Sequence, residues 1–334
     1  MSYQRSIVGV STDGAAAMPI NRIQFQRGMP LPEFFDSYGS EAQCALALER
    51  LRWPVGFRCP RCGEGAHCLT RHEGRQLFQC HACRRQTSLT AGTMMDSSKL
   101  PLRTWFLAMY LISQAKTGLS ALALKRDLGV NYRTAWLVHQ KIMGAMARSD
   151  AALSLSGDVQ VDDAYLGGEH PGKVGRGSPN KVPFVAAVAL SSKGHPLHVK
   201  MSPVPGFTLK AIADWARSNL TPGADVVSDG LSCFAGVIDA GCSHSYVVVG
   251  QRKPRELPQF HWVNTVLGNL KTAISGAHKA FKFRKYASRY LGAFSYRFNR
   301  RLDLHAVVSD LFADAFRSPP ERQRDIRGLA ELHT

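Results

Sequence analysis

The first clear periodicity is SEAQCALALERL (40–51), whose apolar positions recur at helical spacing. Ser40 and Gln43 stand three apart, as in a capping box, so a short helix is expected to begin there. Residues 1–30 show no period and are expected to be mostly flexible. SSKLPLRTWFLAMYLISQA (97–115) is again helical, with Ser98 as a cap and Pro101 in the first turn, where a missing N–H is tolerated. KTGLSALALKRDLGVNYRTAWLVHQKIMGAM (116–146) reads as two helices broken at LGVN, the length and break of a helix-turn-helix. Leu119, Leu122 and Leu124 of its first helix should face a core, as should Ala135, Val138 and Ile142 of its second. Tyr132, Arg133, Trp136 and His139 or Lys141 would then be presented elsewhere.

Beyond residue 150 the period shortens to that of strands. DVQVDDAYLGG (158–168) alternates, and VPFVAAVAL (182–190) and HPLHVKM (195–201) follow as two more strands. The Gly-rich, basic stretch 167–181 between the first two is a loop, with Gly167 and Gly168 permitting a tight turn or close approach of a ligand. TLKAIADWARSNL (208–220) is helical, and ADVVSDG (224–230) is a further strand ending in a turn. HWVNTVLGNLKTAIS (261–275) and FRKYASRYLGAFSYRFNRR (283–301) are expected helices, and the end of the chain a loose tail. This divides the chain into 1–30, 31–96, 97–150, 151–305 and 306–334, with an α/β domain as the fourth part.

Cysteine spacing adds a metal to this picture. Cys59 and Cys62 form one CxxC, and Cys80 and Cys83 a second after a gap of 17 residues. Zinc prefers four soft donors in a tetrahedron, and two such turns supply them, so residues 57–89 are expected to be a zinc ribbon with a structural Zn2+. His67, Cys68 and His72 lie between the turns, but four cysteines already complete the set.

Charge then selects a partner. The chain has 42 Lys and Arg against 25 Asp and Glu, a net +17, which suits a polyanion such as nucleic acid. The longest strongly apolar run, WFLAMYLI (105–112), is far shorter than the ~20 residues that span a bilayer. No secretory signal opens the chain, so a cytoplasmic, nucleoid-associated protein that meets no membrane is expected. A recognition helix reads base edges from its first residues, which nominates Asn131, Tyr132, Arg133 and Thr134 for DNA. Arg58, Arg61, Arg84 and Arg85 of the ribbon suit phosphate contact. Between 279 and 301, Lys279, Lys282, Arg284, Lys285, Arg289, Arg297, Arg300 and Arg301 are expected along a DNA backbone, with the interleaved aromatics mostly in a core.

Two aspartates sit on predicted strands: Asp162 in VQVDDAYLGG and Asp229 at the end of DVVSDG. The order β-β-β-α-β, in an RNase H-like sheet, returns the fourth strand parallel to the first and brings these carboxylates together. Paired carboxylates can bridge two Mg2+ ions about 3.5–4 Å apart, the arrangement used in phosphoryl transfer.

CPRCG with a second CxxC, VDDAYLGG followed by KVGRG, then SDG, NTVLGNLKTAISG and FSYRFNRR together resemble the bacterial insertion-sequence transposases that carry an N-terminal zinc ribbon and a DDE-type domain. The resemblance covers roughly residues 30–305. It implies an RNase H-like catalytic domain with a mixed five-stranded sheet flanked by helices, behind a zinc ribbon and a helix-turn-helix. It also implies cleavage at an element's terminal inverted repeats, joining of the freed 3′-OH to target double-stranded DNA, and a dimer or larger assembly on DNA. By motif, the first two acids are Asp162 and Asp229. The third is normally a glutamate seven residues before a lysine; here Asn264 stands seven before Lys271. Some branches of the family use asparagine there, and an amide oxygen can ligate Mg2+, so Asp162, Asp229 and Asn264 form the expected set with Lys271 on DNA phosphate. The alternatives are that Asn264 caps its helix while Glu256 or Asp163 supplies the third ligand, and that the protein is a non-catalytic DNA binder descended from a transposase. A junction-resolving nuclease of the same fold is a further rival, disfavoured by the ribbon and the helix-turn-helix.

Overall fold

The computed structural model of the protein describes residues 25–72, 75–167, 181–253, 256–279 and 281–329. The helix expected from residue 40 is α2 (Glu41–Arg52), preceded by α1 (Leu31–Tyr38), which periodicity did not reveal. Ser40 Oγ accepts the Gln43 N–H, and Gln43 Oε1 accepts the Ser40 N–H, closing the capping box. Part of the segment expected to be flexible is tied down. The Gln26 amide donates to Arg301 O and accepts from Leu304 N at 2.7 and 2.8 Å, and Met29 is buried. Residues 1–24 lie outside the described residues.

The ribbon is the hairpin β1 (His67–His72) and β2 (Arg75–Cys80), extended by β3 (Gln86–Ser88) into an antiparallel three-stranded sheet. Its small core stacks Phe57 on Phe78 at 5.3 Å, with Trp53 edge-on to Phe57.

Three helices follow: α3 (Leu102–Gln114), α4 (Ala121–Leu128) and α5 (Tyr132–Ala151). α4 ends at Gly129, whose φ of 65° is the left-handed region where a Cβ is costly. Ser120 and Asn131 cap the two helices on either side of that break through the N–H groups of Ala123 and Thr134. Leu124, Ala135, Val138 and Ile142 are buried as expected, but Leu122 is 46% exposed. His139 and Lys141, one or the other of which was expected to point away from that core, are both buried. The reason is that α5 runs 20 residues and is enclosed on all sides from Val138 to Met146. A His139 ring nitrogen lies 2.7 Å from Leu119 O, and Lys141 Nζ donates to Met94 O at 2.8 Å.

The segment expected to be a loose tail is instead part of this helical core. α9 (Ala306–Arg317) is amphipathic and buries Val308, Leu311, Phe312, Ala315 and Phe316 against α1, α2, α3 and α5. The chain continues to the short α10 (Gln323–Arg327), with Glu321 bound on the way to Arg289 and Arg148 at 2.7 and 3.1 Å.

The second layer is a five-stranded sheet in the order β6-β5-β4-β7-β8. Its strands are β4 (Asp158–Leu166), β5 (Val182–Leu190), β6 (Pro196–Pro203), β7 (Asp225–Ser228) and β8 (Ser243–Tyr246), the last not foreseen from pattern. β4, β5 and β6 are antiparallel neighbours, while β7 and β8 run parallel to β4. α6 (Leu209–Asn219) covers one face with the short 3-10 segment Ser232–Ala240. The other face is covered by α7 (His261–Ala273) and α8 (Phe283–Asn299). Side chains alternate along β4: Val159 and Val161 join the α6 core, Ala164 and Leu166 the α7 and α8 core.

α8 joins the two layers, because Leu291 and Phe294 face the sheet while Ala293 and Tyr296 face the helical core. Its Gly292 permits a close crossing with α5, where a Cβ would stand 2.5 Å from the Ala147 Cβ.

Candidate functional site

Parallel pairing of β4 with β7 places Val159 beside Val226 and Gln160 beside Val227. The same register continued two residues brings Asp229, just past the end of β7, next to Asp162. Gly230 (φ 89°) turns the chain away immediately, and Asp229 Oδ1 accepts the Leu231 N–H at 3.0 Å, which fixes the carboxylate over the strand end. Because β7 stops at Ser228, the edge of β4 is open here and Asp163 also reaches in. One carboxylate oxygen from each of Asp162, Asp163 and Asp229 lies within 4.8 Å of the others.

Packed beside two further carboxylates, Asp162 resists ionisation. Burial, then the negative charges of Asp163 and Asp229, push Asp162 up to about 7, while Lys271 draws it back. Hard divalent cations take oxygen ligands and remove such repulsion, so the donor set fits Mg2+.

α7 is held against this edge by Gln160, a residue that pattern reading passed over. Gln160 is buried, lies two positions before Asp162 and so shares its face of β4. Its Oε1 accepts the N–H groups of Trp262 and Val263 at 3.1 and 3.0 Å, two of the donors that the first turn of α7 leaves unpaired. The detectable signal was a polar residue between two inward valines of a buried strand. α7 begins at His261, so Asn264 lies inside its first turns and is no cap, contrary to one alternative. Val263, Val266, Leu267 and Leu270 face the sheet, leaving Asn264 and Lys271 exposed together, as a seven-residue spacing dictates. Lys271 lies within electrostatic reach of Asp162. Glu256, the other alternative ligand, is exposed and accepts the Lys253 N–H at 3.1 Å, outside the aspartate cluster.

The four ribbon cysteines converge as well. Cys59 and Cys83 Sγ stand 3.5 Å apart, Cys62 and Cys80 Sγ 3.6 Å, and all four lie within 4.8 Å of one another. A tetrahedron with Zn–S bonds of about 2.3 Å needs S···S separations of roughly 3.8 Å, so the set fits zinc. The two turns are near copies: Gly63 N and Arg84 N donate to Cys59 O and Cys80 O, and Cys59 N and Cys80 N to Glu64 O and Arg85 O. Both turns need a left-handed residue, filled by Gly63 (φ 77°) and Arg84 (φ 60°). His67 has a ring nitrogen 2.9 Å from Gly65 O, and Cys68 and His72 are exposed outside the cluster.

At the start of α5, Tyr132 and Arg133 are exposed and Thr134 is half-buried. The Asn131 side-chain oxygen is committed to its cap, and Arg133 Nε donates to Gln323. Of the eight basic residues singled out in 279–301, three hold the fold together. Arg289 binds Glu321, Arg300 binds Asp314 while stacking on Tyr296, and the half-buried Arg297 is lowered to about 10 by desolvation. Arg301 donates to the carbonyls of Leu197, Phe298 and Pro196. The loop from Gly168 to 180, with its basic residues, lies outside the described residues.

Among the described residues no helix is long and apolar enough to cross a membrane. Residues 154–299 match the family model described as ISXO2-like transposase domain, and residues 39–86 the transposase zinc-ribbon domain. Over 142 residues the chain is 31% identical to an "Uncharacterized protein in transposable element ISH50" from Halobacterium salinarum, covering 41% of this chain and 45% of that protein. The chain thus spans less than half the length of that curated relative.

Proposed function

We propose that this chain, in which a transposase zinc ribbon precedes an ISXO2-like transposase domain, is the transposase of an insertion sequence. The observation that carries the reading is the convergence of Asp162 and Asp229 across the β4–β7 pair, in the segment matched as a transposase domain. In this reading the protein binds the terminal repeats of its element through the ribbon and the exposed start of α5, using Tyr132, Arg133 and Thr134.

At the site, the carboxylates of Asp162 and Asp229 and the amide oxygen of Asn264 would hold the metal, with Asp163 able to replace the amide. Divalent ions bound there would supply the positive charge that stabilises the attacking and leaving oxygens of a phosphodiester. The chain's own groups do the rest. Lys271 neutralises a DNA phosphate beside the carboxylates. Gln160 keeps α7, and with it Asn264 and Lys271, in register with Asp162. Water attacks phosphorus and breaks the P–O3′ bond at the element's end. The freed 3′-OH then attacks a target phosphodiester, whose own 3′-oxygen leaves.

The assay is cleavage and joining of labelled duplexes taken from the DNA flanking the gene, with Mg2+ or Mn2+. Wild type should cut and join, while Asp229→Ala should bind without cutting; strand transfer by Asp229→Ala would refute the reading. Asn264 favours one second reading, a transposase-derived DNA binder, since a neutral ligand leaves the site one charge poorer. Wild type that binds the ends without cutting, with Asn264→Asp restoring cleavage, would establish it.

A further inference from the structure

A groove of about 620 Å3 runs between the start of α5 and the segment linking α7 to α8. This is the size of a site for a small ligand or one or two monomers of a polymer. It lies apart from the three aspartates, none of which lines it. Two properties of its wall coincide. Aromatic rings line it, with Tyr132 52% exposed at the rim and Trp136 next along α5, edge-on to Tyr286 at 6.0 Å. Cations line it too: Lys279, Lys282 and Lys285 from one side and Arg327 from the other, the last 5.3 Å from the Trp136 ring. No Asp or Glu is among the lining residues. Gln140, fully buried in the same wall, has its amide beside the Tyr290 hydroxyl, with hydrogen-bonding capacity left over. A buried amide in that state offers one donor and one acceptor pattern to a ligand.

An exposed ring, Tyr132, and a half-buried one, Trp136, flanked by cations with no carboxylate, match the chemistry of an unpaired nucleotide. A base within a duplex shows its edges, whereas an unpaired base shows a face that stacks on an aromatic ring while its phosphate meets cations. We propose that this groove docks one or two unpaired nucleotides of a DNA strand. The bases stack on Tyr132 and Trp136, and the three lysines take the phosphates. Placement supports the assignment, because one wall is the expected recognition helix and the other directly follows α7, the helix of Asn264 and Lys271. The former tail contributes as well: Gln323 accepts from Arg133 and so anchors α10 with Arg327 against α5.

The proposal rests on the transposase reading only in taking DNA as the polymer, and its test needs no cleavage. Full-length protein without added Mg2+ is titrated with a fluorescent single-stranded oligonucleotide, with an abasic strand of the same length and charge, and with an acidic peptide. Wild type should bind the base-bearing strand at least fivefold more tightly than the abasic one, the factor that about 1 kcal/mol of stacking per base gives, and should show a quench of tryptophan fluorescence that Trp136→Leu removes. Tyr132→Ala should lose most of that preference and Tyr132→Phe should keep it. Both should melt like wild type, since Tyr132 is exposed. Equal binding of the two strands by wild type, or a preference untouched by Tyr132→Ala together with Trp136→Leu, would overturn the proposal. So would the acidic peptide binding the groove more tightly than the base-bearing strand. Failure of cleavage would count against the transposase reading alone.

Discussion

Replacing Asp162 by asparagine should make the zinc-loaded protein, without Mg2+ or Mn2+, more stable while removing its capacity for chemistry. Asp162 is pushed from 3.8 to about 7 by burial and by the charges of Asp163 and Asp229. At 1.36 kcal/mol per pH unit, that rise corresponds to at most about 4 kcal/mol of destabilisation by the ionised carboxylate. Screening by salt and small movements of the three side chains reduce this, so roughly 2 kcal/mol is expected. Asparagine keeps the shape and an oxygen for the Asp163 N–H but carries no charge. The sign follows from proton binding. Below about pH 4 the carboxyl is protonated in folded and unfolded chains alike, and the substitution changes little. Between pH 4 and 7 the unfolded chain releases its proton first, so wild type loses stability as pH rises, and the full deficit stands above pH 7. Urea melts at pH 5 and pH 8 measure the difference, which should be largest at pH 8. Millimolar Mn2+ should stabilise wild type at pH 8 and leave Asp162→Asn unchanged. A variant no more stable than wild type at pH 8, or equally favoured at both pH values, would show that the three carboxylates do not repel as their spacing implies.

Other consequences are as direct. Metal analysis should find about one zinc per chain, and Cys59→Ser with Cys80→Ser should abolish it and unfold the ribbon, read as protease cleavage within 57–89. Gln160→Leu removes the acceptor for two N–H groups of α7, so it should cost about 1–3 kcal/mol in urea melts. In the strand-transfer assay it should lose more rate than that instability explains; a variant with full activity would show that Gln160 does not position α7. Gly292→Val adds atoms where a single Cβ already meets Ala147 at 2.5 Å, and it should destabilise the whole chain by about 1–3 kcal/mol, because α8 joins both layers. Arg84→Gly relieves a left-handed non-glycine residue in the second cysteine turn and should raise the melting temperature of the zinc-bound ribbon by the equivalent of about 1 kcal/mol.

Local chemistry made much of this protein legible before its structure. The Ser40 box, the Gly129 break, the paired cysteine turns and the strand order around Asp162 and Asp229 each depend on a few neighbouring residues or on one topological rule. Segments whose role depends on distant partners were misread. The helix 306–317 looked like a tail because nothing nearby shows that Phe312 and Phe316 fill a core built from residues 29–146. Lys141 or His139 was expected to point away from the core because helical periodicity cannot show that α5 is enclosed on every side from Val138 to Met146. Basic residues between 279 and 301 looked alike, yet Glu321, Asp314 and three backbone carbonyls turn Arg289, Arg300 and Arg301 into struts. That leaves Lys279, Lys282 and Lys285 facing the groove. Sequence alone therefore determined which residue types could hold zinc, carry the acids and break the helices, since those depend on spacing along the chain. Only tertiary structure decided that Gln160 spans from strand to helix, that Asp163 joins its neighbour, and that aromatic and basic residues from three separate segments line one groove. Burial and partner choice are set by chain segments far apart in sequence, and no local pattern encodes them.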